Sequence, residues 1–252
     1  MRKTLLLFLV GLLLLNRSFA QVIVESNLPV SIGSGLEVQV DNRLSVQSTL
    51  TNEGTLYFRD SLVLTSYLGS GSILANGTDQ EVYPNGNTIN SFEAIGGTKS
   101  LNGSLSVNSL VLSSAHLKVD TSRLTVSGDI SGFGPDSYII GSLTRGGSDS
   151  LYFPIGDESL YTPVVLTSII GTNPVLEVSL VNNNPAANAG KGLLSVSDLR
   201  YWRVSESSGS LDEMLVQLPT LNETVASSIA ETTVAQGTLV GGGFKGLGAS
   251  ST

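Results

Sequence analysis

From Val22 to about Ile130 the chain is a succession of short runs with Leu, Val or Ile at every second position. LEVQV at 36–40, TLYF at 55–58, SLVL at 61–64, GSLSV at 103–107, LVL at 110–112, LKV at 117–119 and LTV at 124–126 all read this way. Alternation of period two puts one face of a strand in a core and the other in water. Asn76-Gly77, Asn85-Gly86 and Asn102-Gly103 separate several of the runs. Asn-Gly reaches positive φ at little cost, so each pair predicts a tight turn. Nothing here keeps a helical period, and the pattern predicts an all-β protein.

The runs also resemble one another. GTLYFRDSLVLTS from Gly54 aligns with GSLSVNSLVLSS from Gly103 when one residue is skipped, and LEVQVDNRLSV from Leu36 resembles LKVDTSRLTV from Leu117. Self-similar strands with no helix between them suit a stacked repeat, in which one coil cannot bury its own apolar face but its neighbours can. Residues 21–131 are therefore expected to form a short β-solenoid of about four or five coils, at about 20 to 25 residues each. On periodicity alone, an antiparallel sandwich with two similar hairpins is the alternative.

Past Gly132 the strands become longer and bulkier: YII at 138–140, LYF at 151–153, TPVVL at 162–166, LEVSL at 176–180 and RYWRV at 200–204. Pro154 and Pro163 cannot donate to a ladder and belong at strand ends or edges. With the Asn-rich connector at 182–188, this predicts a β-sandwich-like module over 132–218. Residues 219–252 are rich in Gly, Ser and Thr with thin apolar content, and the natural chain is expected to continue past Thr252.

The first twenty residues read as an export signal. Arg2 and Lys3 precede an apolar run from Leu5 to Leu15, and Ser18-Phe19-Ala20 offers a small-x-small cleavage site. Cleavage between Ala20 and Gln21 is the expectation, because the run is well short of the roughly 20 residues of a membrane span. No later stretch approaches a span, so no transmembrane segment is expected in the mature chain. The absence of cysteine removes disulfides, thiolate sites and a lipid-attachment cysteine. Removing Arg2, Lys3 and Arg17 leaves 10 basic residues against 21 acidic ones, a mature charge of about −11. Such a surface repels phosphate backbones, so nucleic acid is a poor partner.

Candidate chemistry is sparse. Asp149-Ser150-Leu151 and the cluster Asp157, Glu158 and Ser159 look like hydrolase fragments, but a serine nucleophile needs a base. The one histidine, His116, precedes Ser150 in an alternating run and is expected to be an exposed strand residue opposite Leu117 and Val119. The acids of the solenoid segment are scattered, and only Asp79 and Glu81 sit at i and i+2; solubility explains that pair better than glycoside or lyase chemistry. Asp157-Glu158 could hold calcium loosely at a turn, yet no metal-ligand motif and no cofactor motif is present. Trp202, next to Val204 on one face of its strand, reads as a core anchor rather than a sugar platform.

Motifs in two successive modules carry a resemblance. Gly69-Ser-Gly71, Ile73-Leu74, Gln80 and Phe92 with Ala94-Ile95 match one module pattern. Gly141-Ser-Leu-Thr-Arg145, Phe153-Pro-Ile-Gly156, Tyr161-Thr-Pro-Val164 and Arg200-Tyr-Trp-Arg-Val204 match the next. Across roughly 50–218 the chain resembles large secreted and cell-surface β-solenoid proteins of Bacteroidota. That resemblance implies export by the type IX secretion system, usually with a C-terminal sorting domain, which is expected to lie beyond Thr252 if the chain has one. It also implies O-glycosylation at Asp-Ser-apolar sites, making Ser61 and Ser150 candidates. The expectation is a non-enzymatic extracellular or outer-surface stalk or adhesin-type segment whose partners are surface glycans or other surface proteins. A carbohydrate-binding or carbohydrate-active β-helix is the alternative.

Overall fold

The structure is a computed structural model, and it describes residues 21–25, 28–182, 200–219, 235–236 and 245–246. Residues 1–20, with the expected leader, and most of 219–252 lie outside the described residues. The described residues contain no helix. The chain divides into two compact units, 1–140 and 141–252.

The first unit is a parallel β-solenoid of about seven turns. Its first coil is β1 (Val22–Val24), β2 (Val30–Ile32) and β3 (Glu37–Val40). Then come β4 (Leu44–Asn52) and β5 (Thr55–Phe58), β6 (Ser61–Leu68) and β7 (Ser72–Ala75), and β8 (Asp79–Tyr83). The long strands β9 (Thr88–Leu101) and β10 (Leu105–Val126) and the short β11 (Ile130–Ser131) complete the stack. The step between coils ranges from 17 residues, Thr55 to Ser72, to 22, Val22 to Leu44. The coils are thus mostly shorter and more numerous than the spacing of the runs suggests. They also continue past 131, because the Leu117 amide donates to the Tyr138 carbonyl. The composition change at Gly132 therefore falls inside the stack rather than at its end.

Registered columns of apolar residues form the core. One column runs Val22, Leu44, Leu62, Val82, Leu101, Val119. Exposure along it falls from 43% at Val22 to 7% at Leu44 and 0% at Leu62, as each new coil covers the one before. A second column is Val38, Leu56, Ile73, Phe92, Leu110, Ile130. Beside it Phe58 meets Ala75 and then Ala94, a large side chain matched with small ones. Such matching keeps an interior at native packing density.

The long strands turn corners without losing their ladder. β9 bends at Gly96 and Gly97, with φ of 63° and 60°, and β10 bends at Ser114, with φ of 53°. Asn85 and Gly86, with φ of 54° and 75°, form the tight turn expected of that pair.

The second unit is antiparallel. β12 (Ile139–Gly146), within which the unit boundary falls, leads to β13 (Ser150–Phe153), β14 (Ile155–Gly156), β15 (Val164–Val181) and β16 (Tyr201–Gln217). β15 pairs with β13 through its first residues, with β12 through its last, and with β16 along most of its length. Bulges and the left-handed residues Ser168, Asn173 and Gly209 interrupt the β15–β16 ladder. Leu143, Phe153, Val164, Leu166, Leu176 and Val178 are fully buried. Among the described residues the β12–β15, β13–β15 and β15–β16 ladders are antiparallel, and no second sheet faces them as a sandwich would require. Two further short strands, β17 (Ala235–Gln236) and β18 (Lys245–Gly246), pair with each other.

Candidate functional site

Ser150 opens β13, is exposed, and pairs with Thr167 across the ladder. Ser61 opens β6 half-buried, after the exposed Asp60. His116, expected to be exposed, is half-buried on the outward side of β10, with its ring centroid 4.4 Å from that of Tyr138 in the next coil. Leu117 and Val119 face inward as expected. The difference at His116 arises because the stack continues to Tyr138.

Asp157 is the most heavily hydrogen-bonded carboxylate described. Its Oδ1 accepts from the Ser159 amide at 2.7 Å, the Ser159 hydroxyl at 2.8 Å and the Leu160 amide at 2.8 Å. Its Oδ2 accepts from Asn182 at 2.8 Å and pairs with Arg200 at 3.2 Å. Burial raises the pKa of this carboxyl, and the hydrogen bonds from Ser159, Asn182 and Leu160 together outweigh it and hold the group below its ordinary value. With both oxygens engaged by donors, the turn acts as a brace. Ser159 donates its hydroxyl to that brace. Nearby in sequence, the Tyr152 and Tyr161 hydroxyls meet at 2.9 Å, and burial pushes the Tyr161 phenol well up. Trp202 is half-buried, and its Nε1 donates to the Thr162 carbonyl at 3.3 Å. Contrary to what their alternation suggests, neither it nor Val204 is buried in the core; the hydrogen bond to Thr162 is what ties the indole down.

Asp79 and Glu81 share the outward face of β8, and both are exposed. Asp79 accepts from the Thr98 amide at 3.3 Å, and Glu81 accepts a short hydrogen bond from the Tyr83 hydroxyl. That bond raises the Tyr83 pKa. Among the described residues no group of three or more His, Asp or Glu side chains could hold a metal ion.

The most constrained polar groups were not singled out as a set by sequence reasoning. Asn52, Gln80 and Lys99 are all buried inside the solenoid. Asn52 accepts from the Gly54 amide at 3.1 Å and donates to the Ser72 carbonyl at 3.0 Å. Gln80 donates to the Phe58 carbonyl at 2.8 Å and accepts from the Gly77 amide at 2.8 Å. Lys99 Nζ donates to the Gly77, Thr78 and Gly96 carbonyls. Each side chain ties main chain of its own corner to that of a neighbouring coil. Glycine makes this approach possible: a Cβ at Gly71 would collide with main chain of Asn52 and Gly54. The readable signal was the interruption of the inward alternation by Gln80, which belongs to the first motif.

The chain was compared with protein-family models, curated proteins and solved structures. None matches. The functional reading therefore rests on the residues and their geometry.

Proposed function

We propose that the chain is an exported, non-enzymatic structural protein of the cell surface or extracellular space, a stalk or adhesin-type segment that carries other modules. The observation that supports this most is the coil stack. Its strands pair above and below, and its buried polar side chains clamp main chain rather than converge on a ligand. Such a stack resists proteases because few of its backbone groups are free to enter a protease cleft. The outward faces offer Ser, Thr and single charges, a surface suited to display. In this reading the leader directs export and is cleaved between Ala20 and Gln21. Ser150, exposed at the start of β13, is the better placed of the two candidate glycosylation sites.

The test is surface proteolysis and fractionation of the source cells, together with glycan binding and turnover assays on neutral and acidic polysaccharides. The proposal expects surface-exposed or released protein without turnover. Protein confined to the cytoplasm would overturn it. So would turnover lost on Asp79→Asn or Glu81→Gln, which would establish the carbohydrate-active reading instead.

A further inference from the structure

Lys99 is fully buried, an unusual place for a lysine. It lies in β9, three residues after the left-handed corner at Gly96, and faces inward between Gln80 of the coil before and Leu117 of the coil after. Three main-chain oxygens converge on its Nζ. Gly96 supplies one from its own corner, and Gly77 and Thr78 supply two from the corner of the preceding coil. An ammonium has three N–H donors and no acceptor, so three carbonyls match it one to one. The corner is built for close approach: any Cβ at Gly97 would overlap the Thr78 carbonyl oxygen.

We infer that the corner formed by Gly77, Thr78 and Gly96 is an internal cation site for a primary ammonium, filled in the native chain by Lys99 itself. The donor set decides the ligand class. Three neutral carbonyls with no carboxylate among them suit a singly charged cation with three donors better than a divalent metal, which takes six or more oxygens and usually carboxylates. The same column in the neighbouring coils shows that a charge is not required by the fold. Gln80 holds the equivalent corner of the preceding coil with an amide, and Leu117 occupies the equivalent position in the following coil without a polar atom. Asp79 acts on Lys99 to raise its pKa, while burial is the larger influence and lowers it to about 8. The group is therefore still mostly protonated at pH 7. The inference is independent of the proposed function.

The test uses the full-length chain refolded at pH 7. Lys99→Ala deletes three carbons and the nitrogen, the framework of n-propylammonium. The Tm should fall by roughly 10 °C or more, because the substitution leaves a cavity and three carbonyls without their donor. Millimolar n-propylammonium should recover much of that loss in Lys99→Ala and leave the native chain unmoved. 1-Propanol, similar in size but uncharged, should not. Equal recovery by 1-propanol, or an equal response of the native chain, overturns the inference. If Lys99→Ala does not fold even with n-propylammonium, Lys99→Met, which fills the volume without the charge, decides the matter. A Tm several degrees below native supports a cation site, and a Tm equal to or above native overturns it.

Discussion

In the solenoid unit, buried amides and an ammonium reach main chain of neighbouring coils; in the antiparallel unit, an Asp157 carboxylate reaches a turn, Asn182 and Arg200. The difference follows from topology. Parallel coils repeat their corners at one position, so a polar side chain there is within reach of main chain of a neighbouring coil. An antiparallel sheet has no such repeat, and its loops must be secured by side chains distant in sequence. The first arrangement stabilises through registration, the second through one carboxylate that gathers a turn, Asn182 and Arg200. Mutations that remove an apolar layer, a buried charge or a hydrogen-bonded turn should therefore act differently on the two units.

The largest expected effect is on the stacked columns. Phe92 is fully buried between Ile73 and Leu110. Phe92→Ala should cost about 3 to 5 kcal/mol of solenoid stability. Urea unfolding followed by near-UV signals and limited proteolysis within the solenoid would show it.

Titration sharpens the comparison next. Burial pushes the Lys99 ammonium down to about 8 from an ordinary value of 10.5. Between those values the unfolded chain binds more protons than the folded one, so solenoid stability should rise with pH, by about 3 kcal/mol at most. The rise should vanish in Lys99→Met. A fall across the same window would mean that the carbonyls hold the charge more strongly than burial repels it.

In the antiparallel unit the dependence lies at acid pH. Asp157 titrates below its ordinary value of 3.8 when folded, so its contribution is present above that value and is lost as pH falls through the folded pKa. Asp157→Ala should cost about 2 kcal/mol at pH 7 and flatten the acid limb of that unit. The cost reflects lost donors from Ser159, Leu160 and Asn182 as well as the Arg200 pair.

The smallest effect returns to the corners. Ser114 occupies the column position of Gly96 in a left-handed conformation that favours glycine. Ser114→Gly should stabilise the solenoid by about 0.5 kcal/mol, the strain relieved exceeding the added freedom of the unfolded chain. Differential scanning calorimetry against the native chain can resolve a shift of that size. No change, or a loss, would mean that the exposed serine is not strained there.

Much of the fold was legible. Strand positions such as Thr55–Phe58 and Ser150–Phe153 follow from alternation alone, and Asn85-Gly86 turns where its chemistry says it must. The phase of the repeat was not legible. Aligning Gly54 with Gly103 sets Leu56 beside Leu105, but the structure registers Leu56 with Ile73, Phe92 and Leu110. The same alignment pairs Leu62 with Leu110, yet Leu62 belongs with Leu44 and Val82. All three faces of a coil carry the same alternation, so one face resembles another as closely as one coil resembles the next. Lys99 was illegible for a related reason. A lysine in an alternating run reads as an outward residue, and only the bend at Gly96 and Gly97 turns it onto the carbonyls.

The central claim is the parallel register, and the absence of cysteine in the sequence makes it directly testable. Ser72 and Ser91 are registered outward partners in adjacent coils, and Ser109 is registered to Ser91 one coil further on. Neighbouring strands lie about 4.8 Å apart, within disulfide reach, whereas two coils do not. Under mild oxidation Ser72→Cys/Ser91→Cys should cross-link rapidly within one chain, and Ser72→Cys/Ser109→Cys should remain reduced. The reverse result, or no cross-link in either variant, would contradict the stacked coil.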